Sequence, residues 1–220
     1  MKILYEDKYL LVCEKPVGVS SQRSDKSDDM LTLLEKYRES RGEDTYVGLV
    51  HRLDTATGGA MIYSKEQSIT GKLCEAIQSP EYVKEYLAVV EGRPEQDVGE
   101  LCDLLYHDKQ KNKSFVVKKK RAGVKEAIAT YTLLGSHELD GGRVVSLVKV
   151  RLITGRTHQI RVQFASRKMP LLGDGKYGSH DNAATLALWS HRVKFKHPKN
   201  GKAVIGQSDP PSEYPWTIFE

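Results

Sequence analysis

Short β-type runs separated by turn residues are the feature that most constrains the fold of this chain. The runs lie near residues 3–5, 9–13, 46–50, 60–63, 82–90, 127–134, 143–153 and 186–195. Turn signals such as Pro16-Val17-Gly18 and Asn200-Gly201 separate several of them. Regular alternation of strands with helices is missing from the pattern. We therefore predict an α+β fold with a large, mostly antiparallel or mixed sheet, flanked by a few helices and loops.

Three segments fit helices. Asp28 or Asp29 is suited to cap the first of them. The second is predicted near residues 65–79 and the third over residues 156–167. Because the third helix would begin with polar side chains after a glycine, its N-terminus would favour an anion.

The length of 220 residues fits one domain over residues 1–220, with room for two lobes. No apolar run of about 18 residues is present, so the sequence predicts no membrane-spanning helix. Acidic residues near the start occupy the place where a signal peptide would have its apolar core. A cytoplasmic location is therefore the default expectation.

The cysteine pattern argues against a metal site. Cys13, Cys74 and Cys102 are far apart, and we expect these thiols in or near the core. The sequence contains no Cys-x-x-Cys or His-Glu-x-x-His spacing. No Gly-x-Gly-x-x-Gly follows the first strand either, which disfavours a fold that binds a nucleotide cofactor.

Positive charge is concentrated between Lys109 and Lys125. The whole chain has a net charge of +5, and this segment alone has eight Lys or Arg residues with no Asp or Glu among them. One interpretation is a solvated, mobile hairpin. The other is a finger that contacts phosphates, whose affinity would fall steeply with salt.

The tetrapeptide His51-Arg52-Leu53-Asp54 places one carboxylate on a predicted loop between two strands. Catalytic groups are common at such positions. An exposed Asp is ionised at neutral pH, since its ordinary pKa is about 3.9, and it can act directly as a nucleophile or base. The alternative is a carboxylate that caps a turn or pairs with a neighbouring Arg.

Two further segments contain candidate functional groups. Tyr86 lies on a predicted strand, where it either packs with its hydroxyl at the rim or stacks on a flipped base. Residues 152–161 combine a strand end, a glycine turn and a polar helix start. Arg156, Thr157 and His158 would donate to a phosphate or a base edge there, or else remain solvated beside a capped helix.

These segments together resemble the RluA-type pseudouridine synthases. The acid motif, the tyrosine strand and the third block occur in the family's order, as His51-Arg52-Leu53-Asp54-Thr55-Ala56-Thr57-Gly58-Gly59, Lys84-Glu85-Tyr86-Leu87-Ala88 and Thr154-Gly155-Arg156-Thr157-His158-Gln159-Ile160-Arg161. Residues 6–18, 170–178 and 197–201 are similar to flanking motifs of the family. The resemblance covers nearly the whole chain, and it implies the pseudouridine synthase fold with a central RNA-binding cleft.

The resemblance implies catalytic roles for three residues. Asp54 would act on the ribose or base of a uridine so that the C1′–N1 bond breaks, after which the uracil rotates and rejoins through C5. Tyr86 would stack on the uracil and assist proton removal from C5. Arg161 would pair with Asp54, because an opposite charge favours the ionised carboxyl. Asp54 and Arg161 are thus expected to meet in one cleft beside the Tyr86 ring.

The resemblance also implies an RNA partner, either ribosomal or transfer RNA. Arg52 would fill the space left by the flipped nucleotide, since enzymes that act on a base extrude it from its stack. The other expected substrate-binding residues are His51, Thr57, Arg156, Thr157, His158 and Gln159. We expect no metal, no other cofactor, no membrane contact, a monomeric state and no separate S4-type RNA-binding domain.

Three residues depart from the family pattern. Gly58 stands where Ser is more common, Gln163 where His is common, and Trp189 where His is common in the late strand. None of the three has an assigned role in the chemistry. The departures concern local hydrogen bonding and the choice of substrate.

Two other functions remain open from the sequence. A non-catalytic RNA-binding or RNA-folding protein would explain the basic segment, although it has no need of Asp54. A glycoside hydrolase would usually need a second carboxylate across the scissile bond. Glu85 is the only further acid in the three blocks, and on a strand it should point away from Tyr86.

Overall fold

The structure, a computed structural model, describes residues 2–25 and 27–220. Within these ranges the chain forms three α-helices and eleven strands. The helices are α1 (Met30–Glu39), α2 (Gln67–Ala76) and α3 (Gln159–Ala165). The strands are β1 (Ile3–Glu6), β2 (Leu10–Lys15), β3 (Gly48–Leu49), β4 (Gly58–Ser64), β5 (Val83–Glu91), β6 (Val98–Asp108), β7 (Lys113–Val117), β8 (Val124–Leu139), β9 (Arg143–Leu152), β10 (Leu188–Lys196) and β11 (Ala203–Gln207).

The chain divides into two compact units. The first comprises Met1–Lys84 and Trp189–Pro210, and the second comprises Glu85–Leu188 and Pro211–Glu220. The organisation as a single catalytic domain stays a prediction.

The first unit contains a mixed sheet. Strand β2 pairs with β1 and β4, β4 also pairs with β3 and β10, and β10 pairs with β11. The pair β4–β10 is parallel and the others are antiparallel. Helix α2 buries Ile69 and Leu73 in a core that also holds Leu10, Ile62 and Phe195. This unit positions the loop between β3 and β4.

The second unit contains an antiparallel sheet in the order β5-β9-β8-β6-β7. Helix α3 covers one face of it, where Val162 packs against Leu105 of β6 and Ala127 of β8. The rings of Tyr131 and Phe164 meet on the same face, with centroids 5.7 Å apart. Helices and mixed strand pairing together agree with the predicted α+β class.

Cap and turn predictions at two positions are confirmed. Asp29 caps α1, since its carboxylate accepts from the Thr32 N–H at 2.8 Å. The Asn200-Gly201 turn joins β10 to β11, and Gly201 has φ +70°, which favours glycine.

Three predictions of local structure were wrong. The strand predicted over residues 46–50 shrinks to β3, because the guanidinium of Arg38 takes the Tyr46 carbonyl that a ladder would need. The helix predicted over residues 156–167 is the shorter α3, because His158 has φ +54° and ends the preceding turn. Cys102 is exposed rather than in or near the core.

No helix in residues 2–25 and 27–220 is long and apolar enough to cross a membrane. The same described residues contain no cluster of three or more His, Cys, Asp or Glu side chains that could hold a metal ion.

Candidate active site

Asp54 lies on the loop between β3 and β4, as the sequence predicted. Its side chain is half-buried, and its carbonyl accepts from the Thr57 N–H at 2.9 Å, which closes a turn. The backbone immediately before and after Asp54 is held by a second segment, residues 15–21. The loop is therefore fixed by contacts from outside itself.

Ser21 holds the residue before Asp54. Its hydroxyl donates to the Leu53 carbonyl at 2.8 Å and accepts from the Leu53 N–H at 3.0 Å. Ser21 is 3% exposed, so water does not compete for these bonds.

Lys15 and Gly18 hold the residue after Asp54. The Gly18 N–H donates to the Thr55 carbonyl at 2.8 Å, and Lys15 Nζ donates to the same oxygen at 3.2 Å. Lys15 is completely buried, and it also donates to the carbonyls of Pro16 and Val19. Burial lowers the pKa of Lys15 to about 8, while the negative charge of Asp54 acts in the opposite direction. An ammonium group and the Asp54 carboxylate are thus electrostatically coupled.

His51 and Thr57 have structural surroundings. His51 Nε2 accepts from the Ile62 N–H of β4 at 3.0 Å. Loss of hydration lowers the pKa of His51 to about 4, and nearby Lys84 adds to the effect, so the ring is neutral at physiological pH. Thr57 is 1% exposed, and its hydroxyl has no hydrogen-bond partner among the described residues.

Arg52 is exposed, unlike its neighbours in the motif. Its guanidinium donates to the Gln22 side chain at 3.2 Å. An exposed side chain held by one such bond is able to move, because a single surface contact stabilises a long side chain only weakly.

Gly58 and Trp189, two departures from the family pattern, are direct neighbours. They face each other across the parallel pair β4–β10. A Cβ atom added to Gly58 would lie 2.2 Å from Trp189 Cζ3, so any side chain there would collide with the indole. Trp189 is 5% exposed and its Nε1 donates to the Ser208 carbonyl at 3.0 Å. The small residue and the large one therefore form a single packing arrangement.

Tyr86 lies on β5 in the second unit and is 9% exposed. It is opposite Val150 of β9, which is opposite Tyr131 of β8, and partners across a ladder share a face. Since Tyr131 contacts Phe164, the Tyr86 side chain lies on the face that α3 covers. Glu85 points to the opposite face.

Arg161 forms a bidentate ion pair with Asp174. Its Nε lies 2.7 Å from Asp174 Oδ2, and its Nη2 lies 2.8 Å from Oδ1. Both side chains are buried, at 7% and 2% exposed. The guanidinium carbon lies 5.2 Å from the centroid of the Tyr177 ring. These contacts fix the orientation of the guanidinium, because its planar fork matches the carboxylate geometry.

His158 shares the Tyr177 contact with Arg161. The Tyr177 hydroxyl accepts from the Ser114 N–H at 2.8 Å and lies 2.9 Å from His158 Nδ1. Burial raises the pKa of Tyr177, so its hydroxyl keeps its proton and can donate to that nitrogen. The structure thus brings His158 and Arg161 together around one tyrosine.

Gln159 and Arg156 stabilise the turn before α3. Gln159 Oε1 accepts from the Thr154 hydroxyl and the Arg156 N–H, and its Nε2 donates to the Ile128 carbonyl. Arg156 Nε donates to the Glu126 carbonyl at 2.8 Å. Thr157 is exposed, and its carbonyl accepts from Ser114.

The helix N-terminus expected at Arg156, Thr157 and His158 is not formed by those residues. All three precede the first turn of α3, which has only seven residues. The reason is that the Gln159 side chain satisfies the Arg156 N–H and folds these residues into a turn.

Gln163 has a structural surrounding that suits an amide. It is completely buried, and its Nε2 donates to Asp103 Oδ2 at 2.8 Å and to the carbonyls of Leu101 and Ala127. The departure from His at this position therefore serves the attachment of α3 to β6 and β8.

Four residues that hold predicted site residues were missed by the sequence reasoning. They are Lys15, Ser21, Asp174 and Tyr177. A signal existed for three of them, since Lys15 belongs to the opening motif and Asp174 and Tyr177 belong to residues 170–178. Ser21 had no signal, because it lies in a polar loop.

Comparisons with known proteins agree with one another. The family described as RNA pseudouridylate synthase matches residues 9–166. The chain is 33% identical to "Ribosomal large subunit pseudouridine synthase C" of Buchnera aphidicola, over 92% of this chain and 65% of that protein. It is 32% identical to an uncharacterized RNA pseudouridine synthase of Aquifex aeolicus, over 98% of this chain and 72% of the relative.

A solved structure supports the fold independently. Human RNA pseudouridylate synthase domain containing 1 superposes with a TM-score of 0.79 at 21% identity, over 99% of this chain and 85% of that one. The chain thus spans about two thirds of the length of the first two curated relatives, 65% and 72%.

Proposed function

Because this chain belongs to the RNA pseudouridylate synthase family, as its motifs predicted, we propose that it isomerises uridine in RNA to pseudouridine. The observation that carries the proposal is the fixed position of Asp54. Ser21 holds the backbone of Leu53, and Lys15 and Gly18 hold that of Thr55. A catalytic group gains most from such positioning when the reaction has no outside reactant.

The reaction rearranges one nucleotide. The C1′–N1 bond breaks, a C1′–C5 bond forms, the proton on C5 is lost and N1 gains a proton. Asp54 acts on the ribose or the base to allow the first bond to break. Lys15 supplies a buried positive charge near the carboxylate, which favours its ionised form.

Tyr86 and Arg161 complete the proposed catalytic set. Tyr86 is a nearly buried aromatic residue suited to stack on uracil and assist removal of the C5 proton. Arg161 has its Nε and Nη2 on Asp174, which holds the guanidinium in one orientation. Its pairing with Asp54 stays a prediction.

The proposed RNA-binding residues differ in how they are held. Arg52 is the exposed residue that fills the space of the flipped nucleotide. Arg156 and Thr157 are accessible enough to contact RNA. His51, His158 and Gln159 act mainly by shaping the site, since each has a bond to its own unit. Thr57 has a buried hydroxyl whose hydrogen-bonding capacity is unused within the described chain.

The proposed substrate is large-subunit ribosomal RNA, because the Buchnera aphidicola relative is named for it. Transfer RNA is the second candidate substrate. We place the protein in the cytoplasm as a monomer that works without a metal or other cofactor.

Pseudouridine mapping tests the proposal. A strain lacking the gene is supplied with the wild-type chain, with Asp54→Asn or with the exposed-acid control Asp25→Asn. Carbodiimide-stop sequencing of ribosomal and transfer RNA then locates each pseudouridine. At least one site is expected to depend on the wild-type and control chains and to be missing with Asp54→Asn.

A non-catalytic RNA-binding function is favoured by one observation, the basic segment between Lys109 and Lys125. If Asp54→Asn binds RNA normally and restores every cellular phenotype of the deletion, binding is the better account of the protein.

A further inference from the structure

The sheet of the second unit has one face that α3 covers and one that it does not. Leu105 and Ala127 lie on the covered face, where Val162 packs against them. Because side chains alternate along a strand, Tyr106 lies on the opposite face of β6. Phe115 of β7 is directly opposite Tyr106 and shares that face. We call this pair of rings the aromatic platform.

Both rings of the aromatic platform have a cationic neighbour. Phe115 is 37% exposed, which is unusual for a large aromatic side chain, and Lys113 Nζ lies 6.0 Å from its centroid. The Arg121 guanidinium lies 5.0 Å from the Tyr106 ring centroid. The platform therefore combines apolar ring surface with positive charge at its edges.

The strand connections concentrate further charge around these rings. Lys109 and Lys111 lie on the turn between β6 and β7. Residues 118–123 cross from β7 to β8, which flank β6 on its two sides. The connection passes close to Tyr106, since a Cβ atom on Gly123 would lie 3.5 Å from its ring. The exposed cations on these two connections are Lys109, Lys111, Lys118, Lys119, Lys120 and Arg121.

We propose that the aromatic platform and these cations form a second RNA-binding site, which takes a single-stranded segment away from the target uridine. One base stacks on Phe115, and Lys118, Lys119 and Lys120 contact neighbouring phosphates. Single strands suit this surface, because only unpaired bases expose a ring face for stacking. The absence of acidic residues between Lys109 and Lys125 matches a polyanion. The proposal rests on the proposed function and extends it.

The platform is distinct from the proposed catalytic surface. Tyr86 lies on the face of the sheet that α3 covers, whereas Phe115 and Tyr106 lie on the other face. An RNA that reaches both must pass around β7, the edge strand of this unit's sheet. Lys113 lies on that edge, with its Nζ 5.1 Å from the Tyr177 ring as well as 6.0 Å from Phe115. The positive charge therefore continues from one face to the other.

Binding of fluorescein-labelled oligocytidine of about 12 nucleotides, followed by anisotropy, tests the proposal. This RNA contains no uridine, so the measurement does not depend on isomerisation. Phe115→Ala is expected to weaken binding by about fivefold or more, the effect of losing one stacked base. Phe115→Trp should bind within about twofold of the wild type. The control is Val98→Ala, which changes the 64%-exposed Val98 on the same face at the far end of β6 and should leave affinity unchanged.

The salt dependence provides an independent readout. Replacing Lys118, Lys119 and Lys120 by Gln should reduce the slope of log affinity against log salt by about 2, since each phosphate contact to a single strand contributes about 0.7. Circular dichroism melting confirms that each variant is folded. The proposal is overturned if Phe115→Ala binds like the wild type, if Val98→Ala loses as much, or if the slope does not change. The predicted pattern in a protein without isomerase activity would instead refute the proposed function alone.

Discussion

Ser21 and Leu53 are joined by two hydrogen bonds through a single hydroxyl, one to the Leu53 carbonyl and one from its N–H. We predict that Ser21→Ala lowers kcat by roughly 10- to 100-fold with little change in KM, because the adjacent Asp54 loses its fixed position. Single-turnover kinetics and RNA binding separate the two parameters.

Two variants control the Ser21 prediction. Ser21→Thr keeps the hydroxyl and should recover most of the activity. Ser20→Ala removes a neighbouring hydroxyl that donates to the Gln22 carbonyl instead, and it should behave like the wild type. Equal activity of Ser21→Ala and Ser20→Ala would show that the bond to Leu53 does not position the acid.

Lys15 makes stability depend on alkaline pH. Its pKa is about 8 in the folded chain and 10.5 ordinarily, so between these values the unfolded chain binds the extra proton. Unfolding free energy then rises with pH across this window, by up to about 3 kcal/mol for a shift of this size. Urea unfolding at several pH values should show the wild type gaining stability over Lys15→Met from pH 8 to 10.5. A difference that stays flat or falls would contradict the burial of a titrating ammonium group.

Gly58 and Trp189 are predicted to be energetically coupled. Gly58→Ser, which introduces the residue more common in the family, should cost about 1–3 kcal/mol because the new side chain collides with the indole. The same change in a Trp189→His background should cost much less. Urea unfolding of the four proteins in this double-mutant cycle measures the coupling.

Gly71→Ser is the matched control for this cycle. A Cβ atom on Gly71 of α2 meets nothing within 4 Å, so the substitution should not destabilise the chain. Strictly additive effects of Gly58→Ser and Trp189→His would refute the packing account.

Arg161 and Asp174 are predicted to act as a unit. Asp174→Asn should cost roughly 3–5 kcal/mol of stability, since it leaves a buried guanidinium without its charged partner. Arg161→Lys should lower kcat even where the protein is folded, because an ammonium group cannot form the bidentate pair. Arg93→Lys, in an exposed ion pair with Asp97, should change neither stability nor kcat. Similar behaviour of Arg161→Lys and Arg93→Lys would argue against a positioning role.

The sequence predicted the fold well where apolar periodicity is strong. Residues 143–153 alternate and form β9 (Arg143–Leu152), and the cap at Asp29 begins α1. The pattern failed where a side chain competes with the backbone. Gln159 and Arg38 both take backbone groups that a longer helix or strand would have used. Periodicity contains no information about such competition.

The site was only partly readable from the sequence. The motif identified the loop with Asp54, but Ser21 is 32 positions from its partner Leu53, and a bond of that range leaves no local pattern. Gly58 and Trp189 were two separate departures in the sequence. They became one physical change once the parallel pairing of β4 with β10 placed them together.

Release of tritium from C5 tests the central claim most directly, because the isomerisation must remove the C5 proton. Large-subunit ribosomal RNA and transfer RNA labelled as [5-³H]uridine, taken from a strain lacking the gene, serve as substrates. We predict tritium release with the wild type and the Asp25→Asn control, and none with folded Asp54→Asn that still binds the RNA. Equal release by Asp54→Asn and the wild type would contradict the assignment of Asp54 as the catalytic acid.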